Sequence, residues 1–364
     1  MIIYRWLAVL GILLCFSSCM RKQRSVTKAY YFWRTNEIAP EERLFLKDRQ
    51  IRKLYSRVLD VDWSSVQGAI PVATNFIESG LHDLKYYNTV SMDAVPVVFI
   101  TNKTFTNIDS VDISQLALRV VRRCLPAYDK IDKLYEENHK YDMQESATRP
   151  HEIQIDCDWT SKTAGKYFAF LRELKSLLPS DSITLSATIR LHQYRYPEKT
   201  GVPPVNRGML MVYNLTDPKR YGNDNSIFEE KTAAPYFNTE NPYPLPLDIA
   251  LPAWSWCLIF RNQKFYQIEN NLDAGDLKQF SFLEKSGSLM YRVQKDTVFN
   301  QLFLREGDEI KAEEIDETTL LKAAILARKA VNTDSFSVSL FELSNKEIKH
   351  YSSESIDQVY RSFY

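Results

Sequence analysis

Strand-like apolar runs alternate with helical stretches along this chain, and that alternation constrains its fold more than any other feature. The runs are AYYFWRTN (29–36), AIPVATNF (69–76), VPVVFITN (95–102), EIQIDCDWTS (152–161), SITLSATIRLHQY (182–194), GMLMVYN (208–214), LDIALPAW (247–254) and FSVSLFEL (336–343). Between them lie helical patterns over 40–59, 112–137 with a kink at Pro126, 161–179 and 316–332, and a last helix closes the chain over 352–363. Several runs are almost wholly apolar, as parallel strands covered by helices on both faces must be. The expected class is α/β: a single (β/α)8 TIM barrel spanning residues 28–364, with no added domain. A doubly wound open sheet is the alternative. Ten glycines and no Gly-rich phosphate loop speak against it.

The amino terminus reads differently. Arg5 precedes an apolar stretch from Trp6 to Phe16, too short for a confident membrane span, and FSSC ends it at Cys19. This resembles a bacterial lipobox. The resemblance implies a lipoprotein signal peptide over 1–18, a lipidated Cys19 as mature amino terminus, and a basic tether over 19–27. Met20, rather than aspartate, follows the cysteine. The expected location is the bacterial cell envelope, anchored by lipid in the outer membrane and facing the periplasm.

Charge narrows the partners. Lysine plus arginine and aspartate plus glutamate number 46 each, so no basic field exists to recruit nucleic acid. The five histidines are scattered and no C-x-x-C occurs, so no metal site of known spacing and no cofactor is expected. Cys124, Cys157 and Cys257 read as buried free thiols, with a disulfide between two of them as the alternative. Aromatic residues make up 13% of the chain, enough either for a large core or for a sugar-lined cleft.

The run at 152–161 poses the functional question. Strand alternation puts Ile153, Ile155, Cys157 and Trp159 on one face and Glu152, Gln154, Asp156 and Asp158 on the other. A polar face inside a barrel needs partners or a ligand. The next strand offers Thr188, Arg190 and His192, and the first offers Arg34. The loops 195–207 and 215–246 are long enough to be functional, and the second, rich in aromatics and prolines, reads as a roof over a cleft where Asp158, His192, Tyr213 and Trp254 converge.

IQIDCDWT resembles the D-x-x-D-x-D-x-E strand of glycoside hydrolase family 18, the chitinase-like barrels. Asp156 and Asp158 match its second and third aspartates, Ile153 stands at the first, and Thr160 stands where the family's general-acid glutamate would be. MVYN resembles the family's M-x-Y-D, with Met211, Tyr213 and Asn214. ALPAW (250–254) is similar to its G-x-P-x-Y, and bacterial barrel lipoproteins with D-x-D on this strand are similar throughout. The resemblance implies an envelope lipoprotein that binds, or atypically cleaves, a glycan. Asp156 and Asp158 are the catalytic candidates. Arg190, His192, Tyr213, Asn214 and Trp254 are the substrate-binding candidates, Trp254 as a stacking platform. Glu342, at the end of the last strand, is a further carboxyl to weigh. Because threonine is no useful proton donor near neutral pH, the family mechanism does not carry over, and whether the chain is an enzyme stays open. The alternative is a non-catalytic barrel serving as an envelope scaffold or partner-binding module. Oligomeric state is not legible.

Overall fold

The structure, a computed structural model, describes residues 24–34, 36–74, 92–125, 150–178, 183–270, 272–299 and 301–364. The expected leader, Cys19 and Pro126 lie outside the described residues. In chain order the strands are β1 (Ser25–Phe32), β2 (Lys53–Ser64), β3 (Gly68–Thr74), β4 (Asp93–Ile100), β5 (Glu152–Asp156), β6 (Thr184–Arg190), β7 (Arg207–Met211), β8 (Leu247–Pro252), β9 (Trp256–Arg261), β10 (Lys264–Glu269), β11 (Leu283–Lys285), β12 (Met290–Val293), β13 (Thr297–Phe299), β14 (Leu302–Leu304), β15 (Glu309–Glu313) and β16 (Ser335–Phe341). Strands β1, β2, β4, β5, β6, β7, β8 and β16 pair in parallel, and β1 pairs with both β16 and β2, so the sheet closes on itself. This is a (β/α)8 barrel, as the alternation predicts.

Helices cover the barrel through apolar stripes. Helix Ile113–Cys124 buries Ile113, Leu116, Ala117, Val120, Val121 and Cys124, a spacing of three to four residues that marks one helical face. Its neighbour, helix Ala164–Leu177, buries Tyr167, Phe170, Leu171 and Leu174. Strands β6, β7 and β8 approach closely at Gly208, where a side chain would meet Ile189 and Leu247 carbons at 2.9 Å.

The second barrel strand differs from the expected one. The helix that begins at Pro40 stops at Asp48, and β2 occupies what reads as its second half. The predicted strand at 69–76 is β3, an antiparallel extension hairpinned onto β2 and no part of the closed barrel. The run at 182–194 is also divided: β6 ends at Arg190, whose backbone N–H is capped by the Gln193 side chain at 2.7 Å, and a helical turn follows over Leu191–Arg195.

The barrel is not uninterrupted. Between β8 and helix Glu317–Ala327 the chain builds an antiparallel sheet in the order β10-β9-β15-β12-β11. Its Cys257, Ile259, Tyr291, Val293, Ile310 and Ala312 form a small core of their own with Leu272, Leu277 and Leu304. The expectation of no added packed unit is corrected here.

The floor of the barrel is lined with paired charges. Lys53 donates to Glu152 at 2.9 Å, and Ser186 donates to the same carboxylate at 2.5 Å. Arg207 forks onto Asp248 with both bonds at 2.9 Å, and the Ser337 backbone N–H adds a third donor at 2.6 Å. Above this layer Gln154 accepts from the Tyr31 hydroxyl.

Candidate functional site

At the carboxyl end of β5 the chain carries the aspartates that its alternation aims inward. Asp156 is 6% exposed and accepts from the Thr188 hydroxyl of β6 at 2.7 Å. Burial, and then the neighbouring Asp158, push its carboxyl up to about 6. Cys157, between them, is buried on the opposite side beside Tyr167 of the covering helix, as strand alternation requires. Trp159 follows on that outer side, stacked on Tyr167 with centroids 5.2 Å apart and donating its indole N–H to the Thr200 carbonyl at 3.0 Å.

Asp158 sits at the mouth, with its side chain 47% exposed. Arg190, the last residue of β6, grips it with a two-pronged ion pair, Nε to Oδ1 and Nη2 to Oδ2, the latter at 2.6 Å. The arginine that the sequence offered from β1 goes elsewhere: Arg34 pairs with Glu42 at 2.6 Å. His192 lies on the helical turn and not on the strand face; it is exposed, and partial burial with the adjacent Arg190 charge holds its imidazole below the usual range. Thr160 is exposed as well and belongs to the turn before the next helix, its backbone N–H donating to the Thr163 hydroxyl at 2.9 Å.

The centre of the mouth is aromatic. Tyr213 is buried, with its hydroxyl within electrostatic reach of Asp156, Arg190, Asp158 and Glu342. Its ring meets Trp254 edge-on at 5.0 Å and Phe341 at 5.5 Å. Trp254 is only 7% exposed, so it plugs the barrel top and is not the open platform expected. Partly open rings surround it instead: Trp33 beyond β1, Phe341 at the end of β16, and Trp256 at the start of β9. Trp33 lies 5.7 Å from Phe341, Phe341 5.2 Å from Trp254, and Trp254 5.9 Å from Trp256. Trp33 and Trp256 were missed in the sequence because neither belongs to a family motif, and each lies just outside the barrel strand that places it.

Asn214 is exposed in a left-handed conformation (φ +54°) and starts the loop 215–246 by donating its backbone N–H to the Ile227 carbonyl. That loop is a fixed wall. Tyr221 donates to Glu309 of β15 at 2.6 Å, and Ser226 bonds Glu313 through both its backbone N–H and its hydroxyl. Glu342 follows Phe341 at the rim; burial pushes its carboxyl up to about 7 against the opposing pull of Arg34.

The raised Asp156 carboxyl has a measurable consequence. A carboxyl whose folded value exceeds its unfolded one adds stability that is complete below about 4 and is lost as pH rises through about 6. Asp156→Asn carries no such penalty. Between pH 4 and pH 8 the stability difference should therefore move in the variant's favour by on the order of 1–3 kcal/mol. Chemical denaturation at both pH values measures it; a difference that does not change with pH would refute the assignment.

No family model matches the sequence, and no curated protein matches it. Solved structures do match. A chitinase from Chromobacterium violaceum aligns over 93% of this chain and 98% of its own, with a TM-score of 0.52 at 8% identity. The fold is a chitinase-like barrel. The spore cortex-lytic enzyme SleL of Bacillus megaterium aligns over 94% of this chain and 75% of its own, at TM-score 0.53 and 11% identity. Catalytic domain 2 of an Ostrinia furnacalis group II chitinase aligns over 93% and 96%, at TM-score 0.51 and 8% identity, and a mutant of it is solved in complex with penta-N-acetylchitooctaose. At the positions of the sequence resemblance the chain carries Asp156, Asp158 and Thr160, and at identities this low the likeness establishes the fold alone.

Proposed function

We propose that the chain is a glycan-binding barrel of the cell envelope that has given up the cleavage chemistry of chitinase-like enzymes. The observation that carries this reading is the ring of partly open aromatics, Trp33, Phe341 and Trp256, around a mouth whose acid position is Thr160. Sugar rings stack on such surfaces through their apolar faces, while the exposed edges of Asp158 and His192 offer hydrogen bonds to hydroxyls. The Arg190 fork fixes the orientation of Asp158 at the mouth. The ligand proposed is an oligosaccharide of N-acetylhexosamine, by analogy with the chitinase solved with a chitooligosaccharide.

Titration of the full chain with N-acetylchitopentaose tests this reading. Heat of binding with quenched tryptophan emission is expected, without release of shorter oligomers on prolonged incubation. Product release would restore a catalytic reading. Absence of binding would favour the scaffold alternative, for which the buried Trp254 and the closed Arg190–Asp158 pair speak. The proposal includes a lipid on Cys19, supported by FSSC. A clickable fatty acid should label the protein in cells, and Cys19→Ser should abolish the label; labelling that survives the substitution excludes this anchor.

A further inference from the structure

The crossing from barrel to inserted sheet is the tripeptide Trp254–Ser255–Trp256, and two buried carboxylates hold it. Glu347 accepts from both the backbone N–H and the hydroxyl of Ser255, each at 3.0 Å. Glu313, fully buried on β15, accepts the Trp256 indole N–H at 2.7 Å. Three more donors converge on Glu313: the Ser226 N–H at 3.0 Å, the Ser226 hydroxyl at 2.5 Å and the Lys311 ammonium at 2.7 Å. One carboxylate thus joins the loop after β7, the start of β9 and β15. A buried carboxylate with four donors has no spare lone pair and little freedom to move. The ring it holds stays partly open and leans on Trp254, which touches Tyr213 and Phe341 at the mouth.

We infer that Trp256 is a ligand-contacting ring supplied by the inserted sheet, and that Glu313 is its positioning residue. This rests on the glycan reading of the mouth and adds to it a role for the insertion. Releasing the indole N–H would let the ring turn about its side-chain torsions, so a ligand would have to order it again on binding. The fold need not fail for this to happen, because the small core of the sheet lies on its other face, with Ile310 and Ala312.

The test uses the full chain in detergent, labelled with 5-fluorotryptophan, and N-acetylchitopentaose as probe. The Trp256 resonance is assigned by its loss in Trp256→Phe. In the wild type, saturation with the sugar should shift that resonance. In Glu313→Gln the Trp256 resonance should move before any sugar is added, the Trp159 resonance should stay in place, and binding should weaken about tenfold. Ser226→Ala, a milder variant that removes one donor, should move the Trp256 resonance in the same direction by less, and it serves if Glu313→Gln does not fold. Sugar binding that perturbs Trp33 but leaves Trp256 untouched would overturn this inference alone. Unchanged Trp256 resonances and affinity in both variants would do the same. A wild type whose tryptophan resonances all ignore the sugar would remove the glycan reading and this inference with it.

Discussion

Trp254→Ala should destabilise the folded chain by about 3–5 kcal/mol, the loss expected when a large ring is deleted from a packed centre that cannot collapse to fill the void. The ring is wedged among Tyr213, Phe341 and Trp256, each within 6 Å by centroid. Trp254→Phe should cost clearly less, since it keeps the edge-on partners. Denaturant unfolding of the two variants gives the numbers. A loss under about 1 kcal/mol would mean that the ring lies on the surface and that the mouth is open where the structure shows it filled.

A loss of similar size should follow from Arg207→Met on the opposite face. The Asp248 side chain is 2% exposed and would keep only the Ser337 N–H as a donor once the guanidinium fork is gone. Removing one partner of such a pair costs about 3–5 kcal/mol, because the remaining charge stays buried. The double variant Arg207→Met, Asp248→Leu should recover much of that loss, since a buried ion pair often contributes little beyond an apolar one of equal volume. A double variant as unstable as the single one would show that Asp248 serves more than its arginine, with the backbone of β16 the first place to look.

Much of this architecture was legible in the residues. β4, β5, β7, β8 and β16 announce themselves by apolar continuity, and the inward aim of Asp156 follows from alternation alone. What failed did so for local reasons. The helix at Pro40 stops because Gln50 takes a left-handed conformation (φ +54°), a role usually marked by glycine, so nothing in RQIRKLY warns of the turn. The inserted sheet is made of strands of three to six residues, and its β9–β10 turn is Asn262–Gln263 with both residues at positive φ, where Asn-Gly would have been recognised. Asp158, Arg190 and Tyr213 were found through motif and register. That the first two would close an ion pair near a buried Tyr213, itself packed on Trp254, depends on side chains at the ends of four strands, which periodicity does not relate to one another.

The clamped wall over loop 215–246 bears on how fast a ligand could come and go. Tyr221 and Ser226 are tied to β15 before anything binds, so this loop does not have to swing shut over the mouth. Past this wall a ligand would enter at a rate set by diffusion and orientation, with no opening of the loop required. For the saccharide proposed above, residence time would then be decided by the stacking rings and the hydrogen bonds at the mouth, with no loop closure to delay release.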